Sequence, residues 1–129
     1  MKLTHLLVVA IVAIATPVLA APTQAQLYKE RAETAAKVYT QVRESLKAGR
    51  ATTEAAYQWS VRWLESDYER ATDAKAKKQA LVDHAARMLA LEADATKMQQ
   101  AGALGTVDAI ATTYFRIEAD LWVLRGKAH

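Results

Sequence analysis

The chain contains no cysteine among its 129 residues. Without thiols it can form no disulfide, no thiolate zinc site and no covalent haem attachment, and it has no cysteine nucleophile. Small exported domains often depend on disulfides. Because this chain has no disulfides, its stability must come from the packed core, which a domain of about 110 residues can supply without crosslinks.

Proline and glycine are also scarce, with two prolines at positions 17 and 22 and four glycines at positions 49, 102, 105 and 126. The remaining sequence is dominated by alanine, leucine, lysine, glutamate and arginine, which favour helix. No stretch alternates apolar and polar residues between turn signals, so we expect no strands.

No charge of one sign prevails. The formal net charge is +3, from 17 basic and 14 acidic residues that are mixed along the chain. This mixture is typical of solvated helix surfaces. The one dense basic run, Lys75 to Lys78, is too short for the electrostatic footprint of a nucleic-acid-binding protein, so we expect no nucleic-acid partner.

The first twenty residues have the three parts of a secretory signal peptide. Lys2 supplies a positive start, Leu6 to Ala15 form an unbroken apolar run, and Val18 to Ala20 are suited to cleavage. We predict a signal peptide over residues 1–20, with cleavage after Ala20; Ala21 and Ala25 are alternative cleavage positions.

The apolar run is shorter than the about 20 residues that a transmembrane helix needs. An uncleaved N-terminal anchor is the alternative interpretation, whereas the lack of cysteine excludes a lipoprotein anchor. We therefore expect an exported protein of the periplasm or cell envelope, with no transmembrane segment after cleavage.

Glycine and threonine mark the helix boundaries. Gly49 and Gly102 each follow a long periodic stretch, where a left-handed C-cap is common. Thr52 or Thr53 can cap the next helix after the first glycine, and Thr106 after the second. Thr72 and Asp73 form a weaker break. These signals predict four helices, at about residues 24–48, 53–71, 73–101 and 106–125.

Each predicted helix has an apolar stripe with steps of three and four residues, as in bundled helices. The stripes are Tyr28, Ala32, Ala35, Val38 and Val42; Tyr57, Val61, Leu64 and Tyr68; Leu81, Ala85, Met88, Leu91, Ala95 and Met98; and Ile110, Tyr114, Ile117, Leu121 and Leu124. The fold class predicted is all-α, an antiparallel four-helix bundle with up-down-up-down topology, in one domain over residues 21–129.

The two halves of this domain, about residues 24–71 and 73–125, align at an offset of 53. Ala48 and Gly49 then match Ala101 and Gly102, and the apolar stripes coincide. We interpret this as a duplicated helical hairpin, in which neither copy can bury its apolar face alone. The alternative is that any two amphipathic hairpins can be aligned in this way.

The hairpin also resembles a known family. A long helix ends at Lys47-Ala48-Gly49-Arg50-Ala51-Thr52, and an alanine-rich helix with bulky aromatic and aliphatic side chains follows. This pattern is similar to the helical-hairpin repeat of TolC-type outer-membrane efflux proteins, and it covers only their helical part. The resemblance implies a cell-envelope protein of helical hairpins that is associated with efflux, and it transfers no functional residue.

Residues with catalytic or metal-binding chemistry are few. His84 and Met88, one turn apart, are the residues considered for a metal site, but they lack the second histidine or carboxylate that helical metal sites have at this spacing. We therefore expect no metal site. No serine has a glycine-flanked elbow or an activating base, and no phosphate-binding glycine loop is present. We therefore expect no enzyme, no catalytic residue and no cofactor.

Aromatic side chains are the remaining candidates for functional residues. Trp59 and Trp63, and Phe115 and Trp122, lie beside the predicted stripes of helices 2 and 4. They either widen the buried face or form a contact surface, since tryptophan is enriched in interface anchors. The preferred hypothesis is an exported, non-enzymatic structural or interaction module that binds a protein partner or itself. The alternative is a small-ligand or metal-ion binding protein of the periplasm.

Overall fold

The computed structural model describes residues 10–17 and 19–129. Residues 10–17 and 19–23 form no helix or strand, and the apolar side chains of Ile11, Val12 and Ile14 are exposed. Residues 1–9, which hold the positive start of the predicted signal peptide and part of its apolar run, lie outside the described residues, as does Val18 of the predicted cleavage site.

Residues 24–129 form four helices and the turns between them: α1 Gln24–Lys47, α2 Thr53–Arg70, α3 Ala74–Gln100 and α4 Thr106–Arg125. The oxygens of Thr23, Thr52 and Asp73 accept hydrogen bonds from the backbone of the first turns of α1, α2 and α3. Such caps each stabilise a helix by about 1 kcal/mol. The N-cap of α4 is Gly105, which has no side chain to do this.

The two predicted glycine turns are confirmed. Gly49 has a φ of 74° and Gly102 a φ of 72°, so both adopt the left-handed conformation that only glycine enters at low cost. In each turn a backbone N–H beyond the glycine bonds back into the helix, from Arg50 to Ser45 at 2.8 Å and from Ala103 to Met98 at 2.8 Å. These bonds satisfy carbonyls that the helix end leaves free.

The predicted all-α bundle of two hairpins is confirmed. α1 packs along α2, α3 packs along α4, and the two hairpins meet mainly through α2 and α3. α1 and α4 have no Cα atoms within 8 Å of each other. α4 therefore has one side that no other helix of the described chain covers.

The core lies where α2 and α3 face each other, and where α2 packs against α1 and α3 packs against α4. It consists of one cluster around Tyr39, Leu46, Met88, Leu91 and Phe115, and a second around Leu64, Leu81 and Trp122. Ion pairs tie the helices together at the rim, with Arg43 Nε 2.7 Å from Asp94 Oδ2 and Arg116 Nε 2.8 Å from Glu92 Oε1. Within residues 10–17 and 19–129, no helix has both the length and the apolarity needed to cross a membrane.

The predicted core stripe of the fourth helix is wrong. Its five residues are exposed on the surface: Ile110, Tyr114, Ile117, Leu121 and Leu124. The buried face of α4 is made by other residues: Ala109, Thr112, Phe115, Ala119 and Trp122. The predicted stripes of the other three helices do lie in the bundle, where each residue is buried or half-buried.

Candidate interaction surface

α4 has two apolar faces, and the outer one is open to solvent. We name the outer face the α4 stripe and define it by six residues: Val107, Ile110, Tyr114, Ile117, Leu121 and Leu124. These residues are between 41% and 83% exposed. Isolated exposed apolar residues are ordinary, but six in one continuous row form a patch of the kind that marks interaction sites.

Aromatic stacking explains why the other face of α4 is buried. The Tyr57 ring of α2 stacks on Phe115 with centroids 4.2 Å apart and planes at 14°. The His84 ring of α3 stacks on Trp122 at 5.5 Å and 20°. Ala109 and Ala119 are the small side chains of this buried face. The bulkier aliphatic residues are thereby turned outward.

Polar residues border the α4 stripe on both edges. On one edge the Arg116 guanidinium donates to Glu92 at 2.8 Å and to Asp120 at 3.2 Å. On the other edge the Tyr57 hydroxyl donates to Glu118 Oε1 at 2.5 Å. Burial and this hydrogen bond raise the pKa of Tyr57 above its ordinary value. Both edges are thus held by neighbouring helices, which fixes α4 in its orientation.

The four aromatic residues proposed from the sequence as contact residues divide into two pairs. Phe115 and Trp122 are 7% and 3% exposed, so they widen the buried face of the bundle, which is the first of the two interpretations given for these aromatic residues. Trp59 and Trp63 are half-buried on α2. An arginine guanidinium lies over each ring, that of Arg87 over Trp63 at 4.1 Å and that of Arg62 over Trp59 at 4.4 Å.

Trp59 lines a shallow groove between α1 and the outer side of α2. The groove has a volume of about 580 Å³ and is lined by Leu27, Glu30, Arg31, Thr34, Ala35, Trp59, Arg62, Glu65 and Ser66. This volume is in the range of small-molecule sites. The Arg62 guanidinium lies over the Trp59 ring at 4.4 Å, so one wall of the groove is a cation stacked on an aromatic ring.

A polar cluster lies inside the bundle between α2 and α3. Arg87 Nε donates to Ser60 Oγ at 2.7 Å, and its Nη2 donates to the Ser60 carbonyl at 3.1 Å. Ser60 Oγ is 2.8 Å from His84 Nδ1. Because arginine can only donate, the serine hydroxyl is free to donate to the imidazole. The cluster therefore forms a chain from guanidinium to hydroxyl to a neutral histidine.

His84 is fully buried, and its Nε2 has no hydrogen-bond partner among the residues that the structure describes. Burial, reinforced by the positive charge of Arg87, lowers the pKa of His84 to about 3. The second metal candidate, Met88, is also fully buried. Among the described residues, no group of three or more His, Asp or Glu side chains is arranged to hold a metal ion.

Sequence reasoning missed Ser60 and Arg87. Ser60 lies between Tyr57 and Leu64 at helical spacing, so its place on the buried face could have been found from the sequence. Arg87 lies on α3 and reaches Ser60 on α2 only because of the way the two helices pack. No local sequence pattern predicts this packing.

No protein-family model, no curated protein and no solved structure matches this chain. The resemblance to the TolC-type hairpin repeat consequently stays a prediction from the sequence, and the function must be argued from the chain's own residues.

Proposed function

We propose that the protein is an exported, non-enzymatic interaction module whose contact surface is the α4 stripe. The observation that carries this proposal is the exposure of six large apolar residues in one row on a helix whose other face is fully packed. Export is inferred from the signal-peptide pattern of residues 1–20, and a role in the cell envelope from the same pattern and the hairpin resemblance.

Covering the α4 stripe is favourable, because it removes apolar area from water. Burial of apolar area stabilises a complex by roughly 25 cal/mol per Å², and a helix that presents a row of anchors at steps of three and four is a recurrent recognition element. The stripe belongs to a helix whose two edges are held by hydrogen bonds to Glu92 and Tyr57. Binding would therefore require little ordering of the chain.

The polar cluster supports the non-enzymatic part of the proposal. Ser60 and His84 have the residue types and the hydrogen bond of a nucleophile and its base. Both side chains are fully buried, however, and neither of them lines the groove at Trp59. This burial supports a structural role for the pair.

A photo-crosslinking amino acid placed in the α4 stripe tests the proposal. We would replace Tyr114 by benzoylphenylalanine, irradiate the cells that produce the protein, and look for adducts of higher mass. A matched control carries the same replacement at Leu89, an exposed apolar residue on α3. Adducts at position 114 and their absence at position 89 would support the stripe as a contact surface. No adduct at position 114 would contradict it.

The groove at Trp59 favours small-ligand binding as a second candidate function. Its volume and its stacked Trp59–Arg62 wall suit a flat ligand with an anionic group. The test is a two-dimensional NMR titration with a panel of small aromatic carboxylates, in which the indole N–H of Trp59 should shift. The backbone amides of Thr34 and Ser66, which line the same groove, should shift in the wild type and no longer shift in Trp59→Leu. A panel without any shift at Trp59 would reject this candidate.

A further inference from the structure

We propose that the occupant of the α4 stripe is a second copy of this chain, with the two α4 helices packed antiparallel across a two-fold axis. This inference rests on the proposed function, because it names the partner of the same surface. It is carried by the register of the stripe, the charges at its edges and its extent.

The register of the stripe is that of a coiled-coil seam. Its residues follow one another at steps of three, four, three, four and three, which are the a and d positions of three heptads. The order of these steps is the same from either end. In an antiparallel pair Val107 lies opposite Leu124 of the partner subunit, and Tyr114 lies opposite Ile117 of the partner subunit. Every residue of the stripe therefore meets another, as a two-fold interface requires.

The charges beside the seam do not oppose this arrangement. In the antiparallel register Asp120 lies beside Thr113 of the partner subunit, and Glu118 lies beside Ala111 of the partner subunit. No like charges meet on either edge. The antiparallel pair also places the N-terminal end of each α4 near the C-terminal end of the other, which the helix dipoles favour.

The extent of the stripe suits a dimer of moderate affinity. From residue 107 to residue 124 the helix is about 26 Å long, and the six residues with their borders offer several hundred Å² of surface. This lies somewhat below the about 800 Å² per partner that stable interfaces bury. We therefore expect a dissociation constant of roughly micromolar magnitude. The stripe is accessible for this contact, because α1 does not approach α4.

The first experiment is light scattering coupled to size-exclusion chromatography over a range of protein concentrations. The protein should shift from monomer to dimer as the concentration rises through about 1–100 μM. Ile117→Glu places two charges beside the two-fold axis and should weaken the dimer more than about 100-fold. Leu89→Glu, an equivalent change on the exposed side of α3, should leave the dimer unchanged.

The second experiment fixes the orientation and uses the lack of cysteine in the chain. Val107→Cys and Leu124→Cys are made as separate variants, and each is oxidised alone and as an equimolar mixture. The proposal expects a disulfide-linked pair that contains one of each variant from the mixture, and little crosslinking of either variant alone. Efficient crosslinking of Val107→Cys with itself would show a parallel pair and overturn the antiparallel assignment.

The outcomes separate this inference from the proposed function. A monomer at all concentrations, together with crosslinked adducts at position 114 that contain another protein, would overturn the second copy and keep the contact surface. A monomer without adducts at position 114 would overturn both. A dimer that persists in Ile117→Glu would overturn the inference as well, because the two copies would then meet elsewhere.

Discussion

His84 is a histidine at the centre of an otherwise apolar contact, stacked on Trp122 and hydrogen-bonded to Ser60. In the sequence, His84 lies at the edge of an apolar stripe. This position fits a metal ligand and a core residue equally well. The distinction is made by Ser60 and Arg87, whose positions relative to His84 depend on tertiary packing.

The lowered pKa of His84 predicts acid destabilisation. The unfolded chain takes up a proton at this histidine below pH 6.5, whereas the folded chain does so only near pH 3. The contribution to stability is therefore complete above about pH 6.5 and is lost as the pH falls toward 3. Between pH 7 and pH 5 the free energy of unfolding should fall by about 2 kcal/mol on this account.

Urea unfolding at several pH values would measure this effect. His84→Gln keeps a hydrogen-bond acceptor for Ser60 but cannot titrate, so this variant should lose much less stability between pH 7 and pH 5. Equal pH dependence of the two proteins would show that His84 does not cause the acid destabilisation.

Ser60 is predicted to contribute more to stability than its size suggests. Ser60→Ala removes the acceptor of Arg87 Nε and the partner of His84 Nδ1. Buried groups left without partners cost about 1–3 kcal/mol each, so we expect a loss of roughly 2–4 kcal/mol in the free energy of unfolding.

Ser66→Ala is the matched control for this prediction. Ser66 is also buried on α2, but its hydroxyl donates only to the Arg62 carbonyl one turn earlier. The control should cost about 1 kcal/mol or less. Similar losses in the two variants, measured by chemical denaturation, would argue against a cooperative role for the Ser60 cluster.

At the scale of the element, the helix boundaries follow from local signals. The four helices begin and end within about one residue of the predicted positions. The glycine turns at Gly49 and Gly102 and the side-chain caps of α1, α2 and α3 act locally. At α4 the N-cap is Gly105 and not the predicted Thr106. The orientation of α4 does not follow from such signals. α4 has two apolar faces, and the choice between them depends on Tyr57 and His84 from other helices.

Two neighbouring substitutions test which face of α4 is buried. Phe115→Ala should reduce the free energy of unfolding by about 3–5 kcal/mol, because it removes a buried ring and its stacking contact with Tyr57. Tyr114→Ala changes an exposed residue and should change stability by less than about 0.5 kcal/mol. Both would be measured by denaturant unfolding in an Ile117→Glu background, in which self-association does not contribute. A larger loss for Tyr114→Ala than for Phe115→Ala would contradict the assignment of the faces.

At the scale of the whole molecule, the two hairpins differ in what they bury. α2 begins at residue 53 and α4 at residue 106, as the predicted offset of 53 requires. Yet Leu64 is fully buried, whereas Ile117, its match at this offset, is exposed. α2 contacts the three other helices and α4 only two. The duplication thus stays a prediction, and the difference in burial comes from position in the bundle, since α4 lies at its edge.

The exposed side of α4 links stability to protein concentration. A bundle that leaves one helix face uncovered gains stability when that face is covered, and a dimer of folded chains shifts unfolding by mass action. The melting temperature should therefore rise by about 3–6 °C when the protein concentration increases from below the dissociation constant to about 100-fold above it. Differential scanning calorimetry at several concentrations would measure the shift. Ile117→Glu should melt at one temperature throughout, while Leu89→Glu should keep the concentration dependence, because only the first of these residues belongs to the α4 stripe. A wild-type melting temperature independent of concentration would mean that association does not stabilise the fold.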